Sequence, residues 1–137
     1  MYLLDTVVFS EFFKHRPHPG FVRWLKDKPE DALFLSTVTV GEVESGIERQ
    51  RDRDAAFAEA LLGWLERSLE VYGDRVLPIT TPVSRRWGRL TARLRRADAD
   101  LLIAATALEH GLTVVTRNVR HFLPTGVPIE NPFEARP

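Results

Sequence analysis

The stretch Met1–Glu11, MYLLDTVVFSE, decides how the chain is read. Three apolar residues, Tyr2 to Leu4, run directly into one acid, Asp5, and a Thr and a second apolar run follow. An apolar run so short and so bounded suits a buried strand. Asp5 then stands where that strand ends and a helix begins, predicted over about Val7 to Lys14. A carboxylate at the carboxyl end of a central strand points into the crevice where open α/β sheets bind ligands. The rest of the chain reads as a supply of partners for Asp5.

Outward from there, helical and extended patterns alternate. HRPHPG (His15–Gly20) is a break set by two prolines and a glycine. Phe21, Val22, Trp24 and Leu25 follow at helical spacing, and Ala32 to Leu35 is a second strand. Thr39 to Gln50 reads as a helix with Val40, Val43 and Ile47 as its apolar positions. From Ala55 to Tyr72, Phe57, Leu61, Leu65 and Leu69 recur every four residues, which is an amphipathic helix. Val76 to Ile79 is a third strand, placed by Pro78 at an edge or a bulge. Thr81-Pro82 begins a helix with Pro at its first position, carrying the stripe Val83, Trp87, Leu90 and Leu94. Leu101 to His110 is apolar nearly all round and so buried, with Gly111 as its C-cap. Thr113 to Thr116 is a fourth strand and Val127 to Ile129 a fifth; the tail after Asn131 reads as irregular. This alternation predicts an α/β fold with a mostly parallel sheet of four to five strands covered on both faces.

A length of 137 residues fits one domain, 1–137, with room for a core. The formal net charge is zero, so no global field draws the chain to nucleic acid or membrane, and any such binding must come from local patches. There is no Cys, which excludes disulfides and thiolate metal sites. No apolar run approaches the roughly 20 residues of a membrane span. No basic segment precedes the first apolar residues, so no signal peptide is expected and the expected location is the cytoplasm.

The polar residues then fall into place on this frame. Asp5 follows the first strand, Glu42 lies in the first turn of the helix after the second, Asp100 opens the buried helix, and Asn118 comes just after the fourth strand. In a doubly wound sheet these ends converge on one edge. Three carboxylates and an amide brought together repel unless a cation sits among them. Oxygen donors without Cys or clustered His favour Mg²⁺ or Mn²⁺, and such a cation supports phosphodiester hydrolysis. Each residue also has a purely structural reading. Asp5 can cap the first helix. Thr39 and Glu42 match a capping box, Thr at the N-cap and Glu three residues on. Asp98 and Asp100 both suit a helix amino end, Asp98 as the cap and Asp100 as the functional acid. Asn118 can be an ordinary loop residue.

Four stretches carry a family likeness: LLDTVVFSE (Leu3–Glu11), LSTVTVGEVESGI (Leu35–Ile47), ADLLIAATALEHGLTVVTRNVRHF (Ala99–Phe122) and GVPIENPF (Gly126–Phe133). In these the chain resembles the PIN-domain nucleases, specifically VapC-type toxins of bacterial toxin–antitoxin pairs. The resemblance implies a three-layer α/β/α fold with the first strand central, and a Mg²⁺-dependent ribonuclease site, with Mn²⁺ as the other suitable ion. Asp5, Glu42 and Asp100 match the family's three principal acids, and Asn118 a fourth position that is Asp or Asn. Thr6 matches a Thr that follows the first acid, and Thr116 the polar residue ending the fourth strand. The chain departs at Val7, where the family usually has Asn, which removes a hydrogen bond near Asp5. Three formal negatives favour one firmly held metal and a weaker second. In this reading Asp5 and Asp100 hold Mg²⁺ directly or through water, and Glu42 completes the shell or orients the attacking water. The implied partners are an RNA substrate, a cognate antitoxin protein, a second copy in a homodimer, and a toxin–antitoxin hetero-oligomer.

Other features weigh less. Arg85, Arg89, Arg93 and Arg96 are read as one face of the Thr81–Arg96 helix, solvated or else contacting phosphate or an acidic partner. Arg117, next to Asn118, is a candidate contact for a phosphate or an antitoxin carboxylate. The four His show no metal-ligand spacing and read as surface or capping residues. Trp24 and Trp64 read as core. Phe9, Phe12, Phe13, Phe21 and Val22 can leave an apolar groove, which the family reading makes the antitoxin side. Two competing functions stand beside the nuclease: a PIN-like module without catalysis, which Val7 and Asn118 keep open, and another α/β phosphate enzyme. A receiver domain needs a Lys where the chain has Thr116-Arg117-Asn118, and a haloacid-dehalogenase-like phosphatase needs an Asp at position 7, which is Val.

Overall fold

The computed structural model describes residues 1–134, which form one five-stranded sheet with helices on both sides. The elements in chain order are β1 (Tyr2–Leu4), α1 (Thr6–Ser10), α2 (Pro19–Leu25), β2 (Leu33–Ser36), α3 (Thr37–Arg51), α4 (Ala55–Tyr72), β3 (Val76–Leu77), α5 (Thr81–Leu94), α6 (Ala99–His110), β4 (Thr113–Val115), α7 (Val119–Phe122) and β5 (Ile129–Glu130). The strand order is β3-β2-β1-β4-β5, and every pairing is parallel. β1 is therefore central, as the resemblance implies. β3 is an edge strand that stops before Pro78, because proline has no N–H to give a ladder.

The strand period of two sorts side chains between two cores. Leu4, Leu33, Leu35 and Val115 face one side, where Val8, Phe9, Phe21, Ile47 and Leu65 cover them. Leu3 and Val114 face the other, under Val83, Leu90, Ile103, Ala105 and Phe122. α6 is buried nearly all round, as its composition requires, and Gly111 ends it at φ +66°, a left-handed cap suited to a residue without Cβ. This is the three-layer α/β/α arrangement. All strands being parallel, their carboxyl ends share one edge, and that edge carries Asp5, Ser36 and Thr116. Among the described residues, no helix is long and apolar enough to cross a membrane.

Several boundaries differ from the sequence reading. The first helix begins at Thr6, with Asp5 as its cap, and ends at Ser10, passing into a 3₁₀ turn over Glu11–Phe13. α5 is capped by Thr80, so Pro82 is its second residue. It ends at Leu94, and Arg95 turns left-handed at φ 56°, which takes Arg96 off the helix face assigned to it.

Close backbone approach explains one glycine. At Gly20 an added Cβ would fall well inside contact distance of the Pro132 carbonyl oxygen, where α2 meets the C-terminal segment. Alanine gains up to about 1 kcal/mol of helix propensity there, but overpacking against fixed backbone costs about 1–3 kcal/mol. Gly20→Ala should therefore lower the urea midpoint; an unchanged or higher midpoint would show that the two segments separate freely.

Candidate active site

Asp5, the first of the candidate site residues, is the cap of α1. Its Oδ1 accepts the Val8 amide at 2.8 Å, and its own amide donates to the Val115 carbonyl at 3.1 Å. These bonds fix the carboxylate between the ends of β1 and β4 with only 4% of the residue exposed. Burial pushes its pKa up from 3.8 to about 6, hydrogen bonds from the Thr116 hydroxyl and the Val8 amide pull the other way, and the charges of Asp100 and Glu42 raise it further. Those last two causes put Asp100 and Glu42 each within electrostatic reach of Asp5.

Glu42 arrives by a different route from the one expected. The cap of α3 is Ser36, whose Oγ accepts the Val38 amide at 3.1 Å. The proposed capping box of Thr39 and Glu42 is thus overturned, because the strand-end serine starts the helix earlier and leaves Thr39 inside it. Thr39 is fully buried and its hydroxyl lies 3.0 Å from that of Thr6. Thr6 donates to Glu42 Oε1 at 2.6 Å, a contact across 36 residues. Thr6, the residue following Asp5, therefore tethers the glutamate near the end of β1. Val7 is 55% exposed.

Asp100 lies in the first turn of α6 and accepts from His121 Nδ1 at 2.6 Å. Asp98 occupies the N-cap position, but its side chain caps no backbone amide; it meets Arg96 Nε at 2.7 Å instead. His121 Nε2 lies 3.9 Å from the same Asp98 oxygen. Ligand atoms of Asp98, Asp100 and His121 all fall within 4.8 Å of one another. The reading of His121 as a surface or capping residue is corrected here. Its only signal in the sequence was its position three residues after Asn118, one helical turn on.

The remaining residues divide. Thr116 is buried and its Oγ1 accepts the Asn118 amide at 2.8 Å, so the loop after β4 braces the hydroxyl that bonds Asp5. Asn118 stands exposed at the start of α7 without a capping bond from its side chain. Arg117 turns toward the C-terminal segment, its guanidinium 4.1 Å from the Phe133 ring centre, and its charge bears on Glu11. Arg85, Arg89 and Arg93 are exposed along α5, while Arg86 pairs with Glu109. On the opposite side of the sheet from α5 and α6, Phe9, Phe12, Leu25, Trp64, Val71 and Tyr72 line an apolar cavity of about 400 Å³. Phe21 is spent in the core rather than on this groove.

The donor set suits a hard divalent cation. Asp5 ionises reluctantly in this buried place, and the charges of Asp100 and Glu42 add to that cost, which a divalent cation would offset. Among the described residues, the ligand atoms grouped within 4.8 Å are those of Asp98, Asp100 and His121, a group without Asp5 and Glu42.

Comparison with known proteins gives the family of the chain. The family model described as PIN domain matches residues 2–123. The chain is similar to the VapC ribonuclease Y4jK of Sinorhizobium fredii, 34% identical over 141 residues, covering 98% of this chain and 99% of that protein. It is similar to Toxin FitB of Neisseria gonorrhoeae, 33% identical over 139 residues, covering 97% and 99%. Among solved structures, that of FitAB bound to a DNA fragment superposes with a TM-score of 0.86 at 30% identity, covering 100% of this chain and 99% of that one.

Proposed function

This chain belongs to the PIN-domain family, and from that premise we propose that it is the metal-dependent endoribonuclease toxin of a toxin–antitoxin pair, acting as a single domain across residues 1–137. The observation that carries the reading is the buried Asp5 carboxylate under the charges of Asp100 and Glu42. Asp5, Asp100 and Glu42 would hold Mg²⁺, with Mn²⁺ as the alternative that oxygen donors accept. When bound, such a cation neutralises charge developing on a phosphate and lowers the pKa of a coordinated water.

The chain's own residues preorganise the site. Val8 and Thr116 hold Asp5 in one orientation, Asn118 braces Thr116, and Thr6 holds Glu42. Asp5 keeps these supports with Val7 exposed, which favours an active site over a module that has lost catalysis. RNA is the substrate class, and the exposed Arg85, Arg89 and Arg93 on α5 offer phosphate contacts. The apolar groove fits one face of an antitoxin helix. The working assembly is a homodimer joined to antitoxin, in the cytoplasm.

The test is a structured RNA incubated with purified chain, with Mg²⁺ and with EDTA. Cleavage should require the metal and should fall to background in Asp100→Asn. Cleavage that persists in EDTA, or that survives this substitution, would remove the carboxylate-metal site from the reaction.

A further inference from the structure

We propose that His121 is a positioning residue for Asp100: its Nδ1–H holds Oδ2 of that carboxylate and reserves Oδ1 for the cation. The inference rests on the metal-dependent reading above. The contact is short, 2.6 Å, and joins residues 21 apart in the chain. The ring stands between two acids, Asp100 on one side and Asp98, at 3.9 Å, on the other. Asp98 is itself engaged by Arg96 at 2.7 Å, which makes it an anchor for the ring's far edge and a poor cation ligand.

The position of the ring is set by the core. His121 belongs to the single turn α7, closed by its amide donating to the Asn118 carbonyl at 3.1 Å. The next residue, Phe122, is fully buried under α5 and α6. Packing of Phe122 therefore aims His121 at the amino end of α6. A carboxylate without such a bond rotates freely and presents either oxygen; one held at Oδ2 has lost that freedom before the cation arrives. Partners that orient metal ligands in this way are worth about 10–100-fold in metal affinity. The pair is half-exposed, so its own contribution to folding is small.

Mn²⁺ binding by titration calorimetry tests this on wild-type chain, His121→Ala and His121→Asn. The Asn amide nitrogen falls near the place of Nδ1 and can make the same bond. Alanine should weaken Mn²⁺ binding about tenfold and move the Mg²⁺ concentration for half-maximal cleavage up by a similar factor. Asparagine should recover most of both, and melting in EDTA should be the same for all three. Unchanged or tighter binding in the alanine variant would overturn the inference. So would a loss that asparagine does not repair, since that would make the imidazole itself the ligand. A wild-type chain that binds no Mn²⁺ and cleaves no RNA would instead refute the nuclease reading, and this inference with it.

Discussion

Asp5→Asn should abolish metal-dependent cleavage while making the metal-free protein harder to unfold. The two effects share one cause. In the folded chain the Asp5 pKa is raised to about 6 from 3.8, chiefly by burial, with Asp100 and Glu42 adding to it. A carboxyl whose folded pKa is raised binds its proton more tightly in the native state. Its contribution to stability is complete below about pH 4 and is lost as pH climbs through 6. Two pKa units correspond to about 3 kcal/mol of cost at pH 8. Asparagine keeps an oxygen for the Val8 amide and carries no charge, so it escapes that cost. The urea midpoint of Asp5→Asn should exceed that of wild type in EDTA at pH 8, and the gap should close by pH 4. Millimolar Mg²⁺ should then raise the wild-type midpoint and leave the variant's in place, because a ligand stabilises only the state that binds it. Equal midpoints at pH 8 would show that Asp5 carries no electrostatic strain. Undiminished cleavage would take it out of the mechanism.

Glu11→Ala should destabilise the chain by about 2 kcal/mol, the scale of an orphaned buried donor plus lost packing. Glu11 is 1% exposed. Burial alone would raise its pKa, but the Lys14 ammonium, the His18 amide at 3.0 Å and the charge of Arg117 bring it below the ordinary value. The sign is opposite to that of Asp5. This support is present above the unfolded pKa near 4.5 and fades as pH falls through the folded value. In structure, the carboxylate pins the His15–Gly20 break to the end of the first helical segment. Alanine leaves the His18 amide without its acceptor, whereas Glu11→Gln can still receive it and should lose less. Urea midpoints at pH 7 should order wild type above Gln above Ala, with the differences narrowing toward pH 3. An alanine variant as stable as wild type would mean that water replaces the carboxylate without loss.

The two acids show why charge type alone did not assign roles. Both belong to the opening motif, and both are buried. One sits where like charges converge at a sheet edge, the other where a lysine, an amide and an arginine converge. Similarly, Thr39 and Glu42 have the spacing of a capping box, and that local rule was displaced by Ser36, which the end of β2 delivers three residues earlier. Arg96 has the helical spacing of Arg85, Arg89 and Arg93, and the left-handed Arg95 removes it from their face.

By itself the sequence determined the layered fold: apolar runs of strand length alternate with amphipathic helices, Pro78 can sit only where a ladder bond is dispensable, and Gly111 ends a helix. Such features depend on residues close together in the chain, where periodicity and backbone sterics act. Only the tertiary structure decided which side chains meet. The hold of Thr6 on Glu42, the bond of His121 to Asp100 and the raised pKa of Asp5 join residues brought together by parallel strands ending at one edge, and the burial that strengthens those interactions exists only once both cores have closed.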